Sequence, residues 1–332
     1  MIPDFSEKPK IELHCHLDGS MDLALAKELF RERGEDISED ELRKQMVAPF
    51  PCENLAEYLS CFDIPIRLLQ SGYALSDTAY RLVCQCAKDN IRYAEIRFAP
   101  TSHLEDGLTP RDAIEAVLVG LSKGEKEFGV YTGLIICAMR NFPQETNRPL
   151  LMETKEFLGN GVVGFDLAGD EDQFPLSEYI DLFREARNLG VPFTIHAGET
   201  PGSRRNIRIA AELGAARIGH GIDMRHDREL MKLCAKKRIG AELCPTSNLG
   251  TRGIASVSEL PFRVFLDERI PVSVNTDNRT IGETDLNAEY ELLDRTFSLT
   301  EEDMERIYRD SVDMAFASDG IKEELLHQWQ RV

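Results

Sequence analysis

Cationic residues are in short supply. Lysine and arginine number 39 against 58 aspartates and glutamates in 332 residues, a formal net charge of −19. That excess repels phosphate backbones and anionic lipid, which argues against a nucleic-acid coat protein or a membrane-surface binder. No apolar run nears the ~18 residues of a membrane span; Gly133–Met139 is among the longest. The first residues, Met1-Ile-Pro-Asp-Phe-Ser-Glu-Lys, hold no apolar stretch of the kind a secretory signal needs. None of the eight cysteines forms a CxxC pair, so free thiols and a cytoplasmic, reducing address are expected. Repeats, low-complexity tracts and Pro/Gly/Ser linkers are missing, and one domain over 1–332 is expected. No strand-like run leads into GxGxxG or GxxxxGK[ST], so the common phosphate-cradling loops are missing too.

The composition is that of an ordinary globule, 42% hydrophobic and 29% charged. Short β-rich apolar runs alternate with helical patterns. Strands are expected near 10–15, 92–98, 130–138, 162–167, 192–197, 217–220, 239–244 and 271–276. Helical stretches between them include Pro110 to Phe128, Ser177 to Leu189, Ile207 to Leu213 and Asp227 to Lys237, with Thr109-Pro110 as N-cap and first helical residue. Eight alternations in one chain predict an α/β fold of the (β/α)8 TIM-barrel type rather than an open doubly wound sheet. Residues 20–90 are too many for one crossover. They read as extra helices inserted after strand 1, and further helices follow the barrel at the C-terminus.

Chemistry concentrates at strand ends. In His14-Cys15-His16-Leu17-Asp18-Gly19 the two imidazoles project to one face of a strand, half of a divalent metal site or, equally, a pair of hydrogen-bonded core histidines. His196-Ala197-Gly198-Glu199 ends the fifth strand, His220-Gly221 the sixth and Asn275-Thr276-Asp277-Asn278 the eighth. Four of the seven histidines thus fall at one end of the barrel, the C-terminal end where such folds keep their active sites. His103, His226 and His327 are expected on loops and helices. Several imidazoles with a carboxylate form the inventory of a catalytic metal site with room for water.

In order along the chain, HCHLDG at 14–19, DLAGDE at 166–171, HAGE at 196–199, GHGID at 219–223, CPTSN at 244–248 and NTDN at 275–278 resemble the adenosine deaminase family of metal-dependent barrels, its bacterial-type members most of all. The resemblance implies that His14, His16, His196 and Asp277 bind one zinc ion and that zinc-activated water attacks purine C6. His220 would orient that water, Asp277 would accept its proton, and protonated Glu199 would donate to ring N1 as ammonia is expelled. It also implies that His16 lies against the substrate, that Gly169 offers its N–H to purine N3 and that Asp18 contacts the ribose 5′ hydroxyl. The stretch Leu55 to Asp63 resembles the family's apolar lid, although Leu55, Leu59 and Phe62 have the spacing of any amphipathic core face. Asn278 departs from the family's frequent second aspartate; its neutral amide can donate directly to N7. The activity implied is hydrolysis of adenosine and 2′-deoxyadenosine to inosine-type products, with a purine nucleoside rather than nucleic acid or membrane as partner. The alternatives are an adenine deaminase or a deaminase of another 6-aminopurine nucleoside such as aminodeoxyfutalosine. A non-purine metal hydrolase and a non-catalytic binding protein on the same barrel are more remote.

Overall fold

The computed structural model describes residues 5–53 and 55–330, the side chain of Leu55 excepted. Eight parallel strands run as β1 Lys10–His16, β2 Ile91–Phe98, β3 Tyr131–Met139, β4 Val162–Ala168, β5 Thr194–Ala197, β6 Arg217–His220, β7 Gly240–Leu243 and β8 Val272–Val274. They pair consecutively as two four-stranded sheets, β1 to β4 and β5 to β8. Single parallel bridges join the sheets at Phe165 with Phe193 and at Cys15 with Asp277, so the strands close into a (β/α)8 barrel. Strand interiors are buried on both faces, as in Ile135 to Ala138 of β3, because helices cover the outside.

The helix Pro110–Phe128 has the expected bounds, with Thr109 and Asp112 forming a reciprocal capping box. Thr109→Ala is expected to cost about 1 kcal/mol and to lower the melting temperature by a degree or two (~1–2 °C); calorimetry with an unchanged midpoint would refute the cap's contribution. The helix expected from Ile207 begins at Arg204, because its first turn is polar and invisible to apolar periodicity. Among the described residues five α-helices lie between β1 and β2, Leu23–Glu32, Glu39–Met46, Leu55–Ser60, Asp63–Leu68 and Gly72–Lys88. After the barrel, Glu301–Met314 and Asp319–Gln330 pack against β1 and β2 through Tyr308, Val312 and Leu325.

The seam between β1 and β8 is stitched by side chains as well as by His16 N–H to Asp277 O at 2.7 Å and Asp277 N–H to His14 O at 2.9 Å. Buried Glu12 accepts from His14 N–H at 3.1 Å and from Thr276 N–H and Oγ1–H at 3.1 and 2.8 Å. Asn275 Oδ1 accepts from Leu13 N–H at 2.9 Å. One carboxylate and one amide thus tie together the two strand ends that carry His14, His16 and Asp277.

Candidate active site

His14 and His16 share a face of β1, and β5 brings His196 beside them. His16 Nε2 lies 3.1 Å from His196 Nε2, and Asp277 Oδ1 lies 3.3 Å from His14 Nε2 and 3.4 Å from His16 Nε2. Three imidazole nitrogens and a carboxylate oxygen converge, all within 4.8 Å of one another. A tetrahedral ion with bonds of about 2.0–2.1 Å sets neighbouring donor atoms about 3.3–3.5 Å apart. The observed spacing fits that edge. His14 Nε2 is buried without a hydrogen-bond partner, an expensive omission unless its lone pair has another use. The donor set therefore suits a divalent metal cofactor.

Two of these rings meet carboxylates on the far side. His14 Nδ1 is 2.7 Å from Glu242 Oε2 on β7, and His196 Nδ1 is 2.9 Å from Asp166 Oδ2 on β4. Such partners select the tautomer that leaves Nε2 free for a cation. Between them sits Arg97 of β2, which donates to Asp166 at 2.8 Å and to Glu242 at 2.9 Å. Arg217 pairs with Glu242 and Glu95. All five of these charged side chains are fully buried. Burial alone would raise the carboxyls of Asp166 and Glu242. The arginines and imidazoles beside them hold both well below the usual range. Gly219 leaves room for the imidazoles: a Cβ there would stand 3.1 Å from His14 Cε1.

His220 differs from the other three. Asn248 Nδ2 donates to its Nδ1 at 3.0 Å, so its Nε2–H faces Glu199, 3.7 Å away. Desolvation keeps the ring neutral, its pKa well below the ordinary value. Both His220 and Asp277 have φ of +61°, a left-handed backbone uncommon for side-chain-bearing residues and concentrated at functional sites. Asp277 would be raised by burial, yet the facing histidines hold it ionised.

Glu199 is the opposite case. Burial, then the negative charge of Asp277, pushes its carboxyl up to about 8, so it keeps a proton at neutral pH. Its loop is held by Glu171, whose carboxylate accepts the N–H groups of Gly198, Glu199 and Thr200 at 3.1, 2.8 and 3.1 Å and the Asn206 amide at 2.8 Å.

These groups lie at the floor of a cavity of about 620 Å³ whose walls include Asp18, Gly169 and Asn278. The structure brings His14, His16, His196, His220, Glu199, Asp277, Asp18, Gly169 and Asn278 to this one place. Asp18, pushed by burial to about 6, accepts its neighbour's N–H from Gly19 at 3.0 Å. Leu59 and Phe62 line the cavity alongside Ala56 and Tyr58, and Phe62 also packs on the small cluster of Cys52, Tyr58, Cys61 and Ile281; the third position expected in that row, the side chain of Leu55, is outside the described residues. His103, expected on a loop or helix, does lie on a loop, the one that follows β2 on the same barrel face, and is fully buried there with Nε2 3.9 Å from Asp18 Oδ2. Sequence reasoning passed over Arg97 and Glu242 and gave no role to Asp166 and Glu171 within DLAGDE or to Tyr58 within the 55–63 stretch. The visible signal was charge at alternate positions of strands otherwise apolar, such as Glu95 and Arg97 in AEIRF or Lys10, Glu12 and His14 in KIELH. Each such set points into the barrel.

The model of the family described as Adenosine deaminase matches residues 9–332. The chain is 39% identical over 321 residues to an adenosine deaminase of Clostridium perfringens, covering 96% of each protein. To an adenosine deaminase of Lactococcus lactis it is 40% identical over 329 residues, 97% of this chain and 93% of that protein. Among solved structures, Arabidopsis ADAL complexed with IMP superposes with a TM-score of 0.86 at 26% identity over 98% of this chain and 97% of that one. A Burkholderia ambifaria amidohydrolase with bound Zn superposes with a TM-score of 0.89 at 24% identity over 98% and 91%, a likeness of fold.

Proposed function

The chain belongs to the adenosine deaminase family, and on that premise we propose that it hydrolyses adenosine and 2′-deoxyadenosine to inosine or 2′-deoxyinosine and ammonia. The observation that carries this reading is the pairing of a convergent His14, His16, His196 and Asp277 donor set with a protonated, largely buried Glu199 in one cavity. We read 1–332 as one barrel domain and the four donors as ligands of one zinc ion. When bound, zinc lowers the pKa of a coordinated water from 15.7 to about 7, which supplies a nucleophile at neutral pH.

The remaining work falls to the chain. Water adds across the C6–N1 bond, oxygen to C6 and a proton to N1. Glu199 donates that proton, which the carboxyl's raised pKa keeps available. Asp277, ionised, accepts the proton that the attacking water loses, and the Nε2–H of His220 orients its oxygen. The C6–N6 bond then breaks: the amino group takes the proton held by Asp277 and leaves as ammonia, while the C6 hydroxyl gives up its proton, which restores Glu199, as the C6 carbonyl of the product forms. His16 and Glu199 meet the ring, Gly169 N–H donates to N3, Asn278 to N7, and Asp18 accepts from the 5′ hydroxyl. Leu59 and Phe62 cover the base and exclude water.

The cavity walls also bear on the substrate. Asp18, Asp63, Asp170, Glu199 and Asp277 line the cavity, and no lysine or arginine is among its described residues. A phosphate would enter an acidic vestibule without a cation to meet it, which supports a nucleoside over a nucleotide. The eight cysteines are all free, which supports a reducing, cytoplasmic setting. No helix among the described residues is long and apolar enough to cross a membrane.

The test is turnover by the zinc-loaded protein of adenosine, 2′-deoxyadenosine, adenine and AMP, followed by ammonia release and the ultraviolet change from adenine to hypoxanthine. Nucleosides are expected to react at least about 10²-fold better than AMP, the range that one buried unpaired charge produces. Turnover of adenine alone would overturn the Asp18 assignment, and equal turnover of AMP would overturn the argument from the acidic walls.

A further inference from the structure

Asn278 is gripped from two sides. Its side chain is buried at the cavity wall. The carboxamide oxygen is pressed against the Cα of Gly19: a Cβ on that glycine would stand 1.9 Å from Oδ1 and 2.6 Å from Cγ. No donor reaches Oδ1. The other end, Nδ2, donates to the hydroxyl of Tyr58 at 3.1 Å. Tyr58 comes from the short helix Leu55–Ser60, 220 residues away in sequence, and is itself 4% exposed.

This arrangement gives the amide a direction. An asparagine side chain has one acceptor and two N–H donors, and rotation by half a turn exchanges them. Against Gly19 there is space for a bare oxygen and none for two further hydrogens. The Tyr58 hydroxyl then takes one N–H, and among the described residues no protein acceptor takes the second. A buried donor left unpaired is costly, so the second N–H awaits an acceptor from whatever fills the cavity.

We propose that Tyr58 is a positioning residue that sets specificity: its hydroxyl holds the Asn278 carboxamide with an N–H turned to the ligand, so that the site selects purines carrying a lone pair at ring position 7. The proposal rests on the reading of Asn278 as the N7 contact and adds what makes that contact directional. A neutral amide held this way needs no shared proton, unlike an aspartate at the same position. Selection at position 7 is therefore independent of a carboxyl's titration. Helix Leu55–Ser60 accordingly contributes polar recognition of the base as well as apolar cover from Leu59.

The experiment compares the inhibition constants of inosine and 7-deazainosine, which differ only at ring position 7, in the zinc-loaded wild type and in Tyr58→Phe. Zinc content and circular dichroism are measured alongside. The wild type is expected to bind inosine about 10-fold more tightly than the 7-deaza compound, the worth of one directed hydrogen bond. Tyr58→Phe keeps the ring and its packing; inosine should weaken about 5–10-fold while 7-deazainosine moves less than about 2-fold, so the preference collapses. Gly19→Ala, which displaces Asn278 from the opposite side, should abolish the same preference. In an Asn278→Ala background, adding Tyr58→Phe should change nothing further in the ratio. Parallel weakening of both compounds in Tyr58→Phe, or an unchanged ratio with Tyr58 or Gly19 altered, would overturn the proposal. A wild type that turns over adenosine yet binds the two inhibitors equally would instead remove the N7 contact itself, and a wild type inert toward adenosine would remove the deaminase reading.

Discussion

Replacing Glu199 by glutamine is expected to lower turnover of adenosine by about 10²–10⁴-fold, the range typical of a lost general acid, with metal content and KM nearly unchanged. The amide fills the same volume and can still donate a hydrogen bond to N1. It has no proton to give up, so the ring keeps its aromatic resistance to attack. Burial and the charge of Asp277 push the Glu199 carboxyl up to about 8. The active form is the protonated one, so the rate it supports is full below that point and falls as pH rises through it. A divalent cation beside the group favours the ionised form and draws this alkaline limb to lower pH. Steady-state rates over pH with zinc content determined on the same samples provide the check. A Glu199→Gln enzyme with wild-type kcat would take Glu199 out of the chemistry altogether.

Glu242→Gln should have the second largest effect, and on a different quantity. The carboxylate that meets His14 Nδ1 also meets Arg97 and Arg217, all without solvent exposure. Removing its charge leaves two buried guanidinium groups short of compensation, for which about 3–5 kcal/mol of destabilisation is expected. The amide also no longer holds the His14 ring as firmly with Nε2 toward the cation. Zinc affinity should therefore drop about 10–100-fold, as for other residues that orient metal ligands. Competition with a chelator measures the affinity, and thermal unfolding of the metal-free protein measures the stability. Unaltered zinc affinity in a folded Glu242→Gln protein would show that the carboxylate serves packing alone.

Arg97 explains why such a cluster sits where most barrels keep branched aliphatic side chains. Imidazoles placed to hold a cation are oriented by anionic partners, and buried anions need cations in turn. Arg97 contacts both Asp166 and Glu242, so one guanidinium links the environment of His14 with that of His196. The barrel interior is thus a layered ion network beneath the cavity, extending to Glu95 and Arg217. In a chain with so few cations for its anions, two arginines are committed to this layer.

Local physics made much of this legible in the amino-acid sequence. Period-two alternation places His14 and His16 on one face wherever that strand ends up, and turn-forming glycines mark strand ends. Apolar runs bounded by those glycines predict β3 and β4 nearly to the residue. Thr109-Pro110 announces its helix because a capping box needs only four consecutive residues. The family motifs supplied the rest of the candidate site. Closure of the barrel decided what lay beyond these local rules. Arg97 meets Asp166 and Glu242 because strands far apart in sequence face one another across the interior. Glu12 seals the β1–β8 seam only once the eighth strand returns to the first. His103 reads as one more loop residue, and only the folded barrel brings that loop behind Asp18. Tyr58 reads as one more aromatic on an amphipathic helix, and only the folded chain carries its hydroxyl to Asn278. The strands and helices are legible in the amino-acid order because they depend on neighbours a few positions away, and the family motifs named the residues able to hold a metal. Tautomers, the direction of each donor and the physical cause of each shifted carboxyl come from the tertiary structure, since those depend on desolvation and on charges that meet only when the barrel closes.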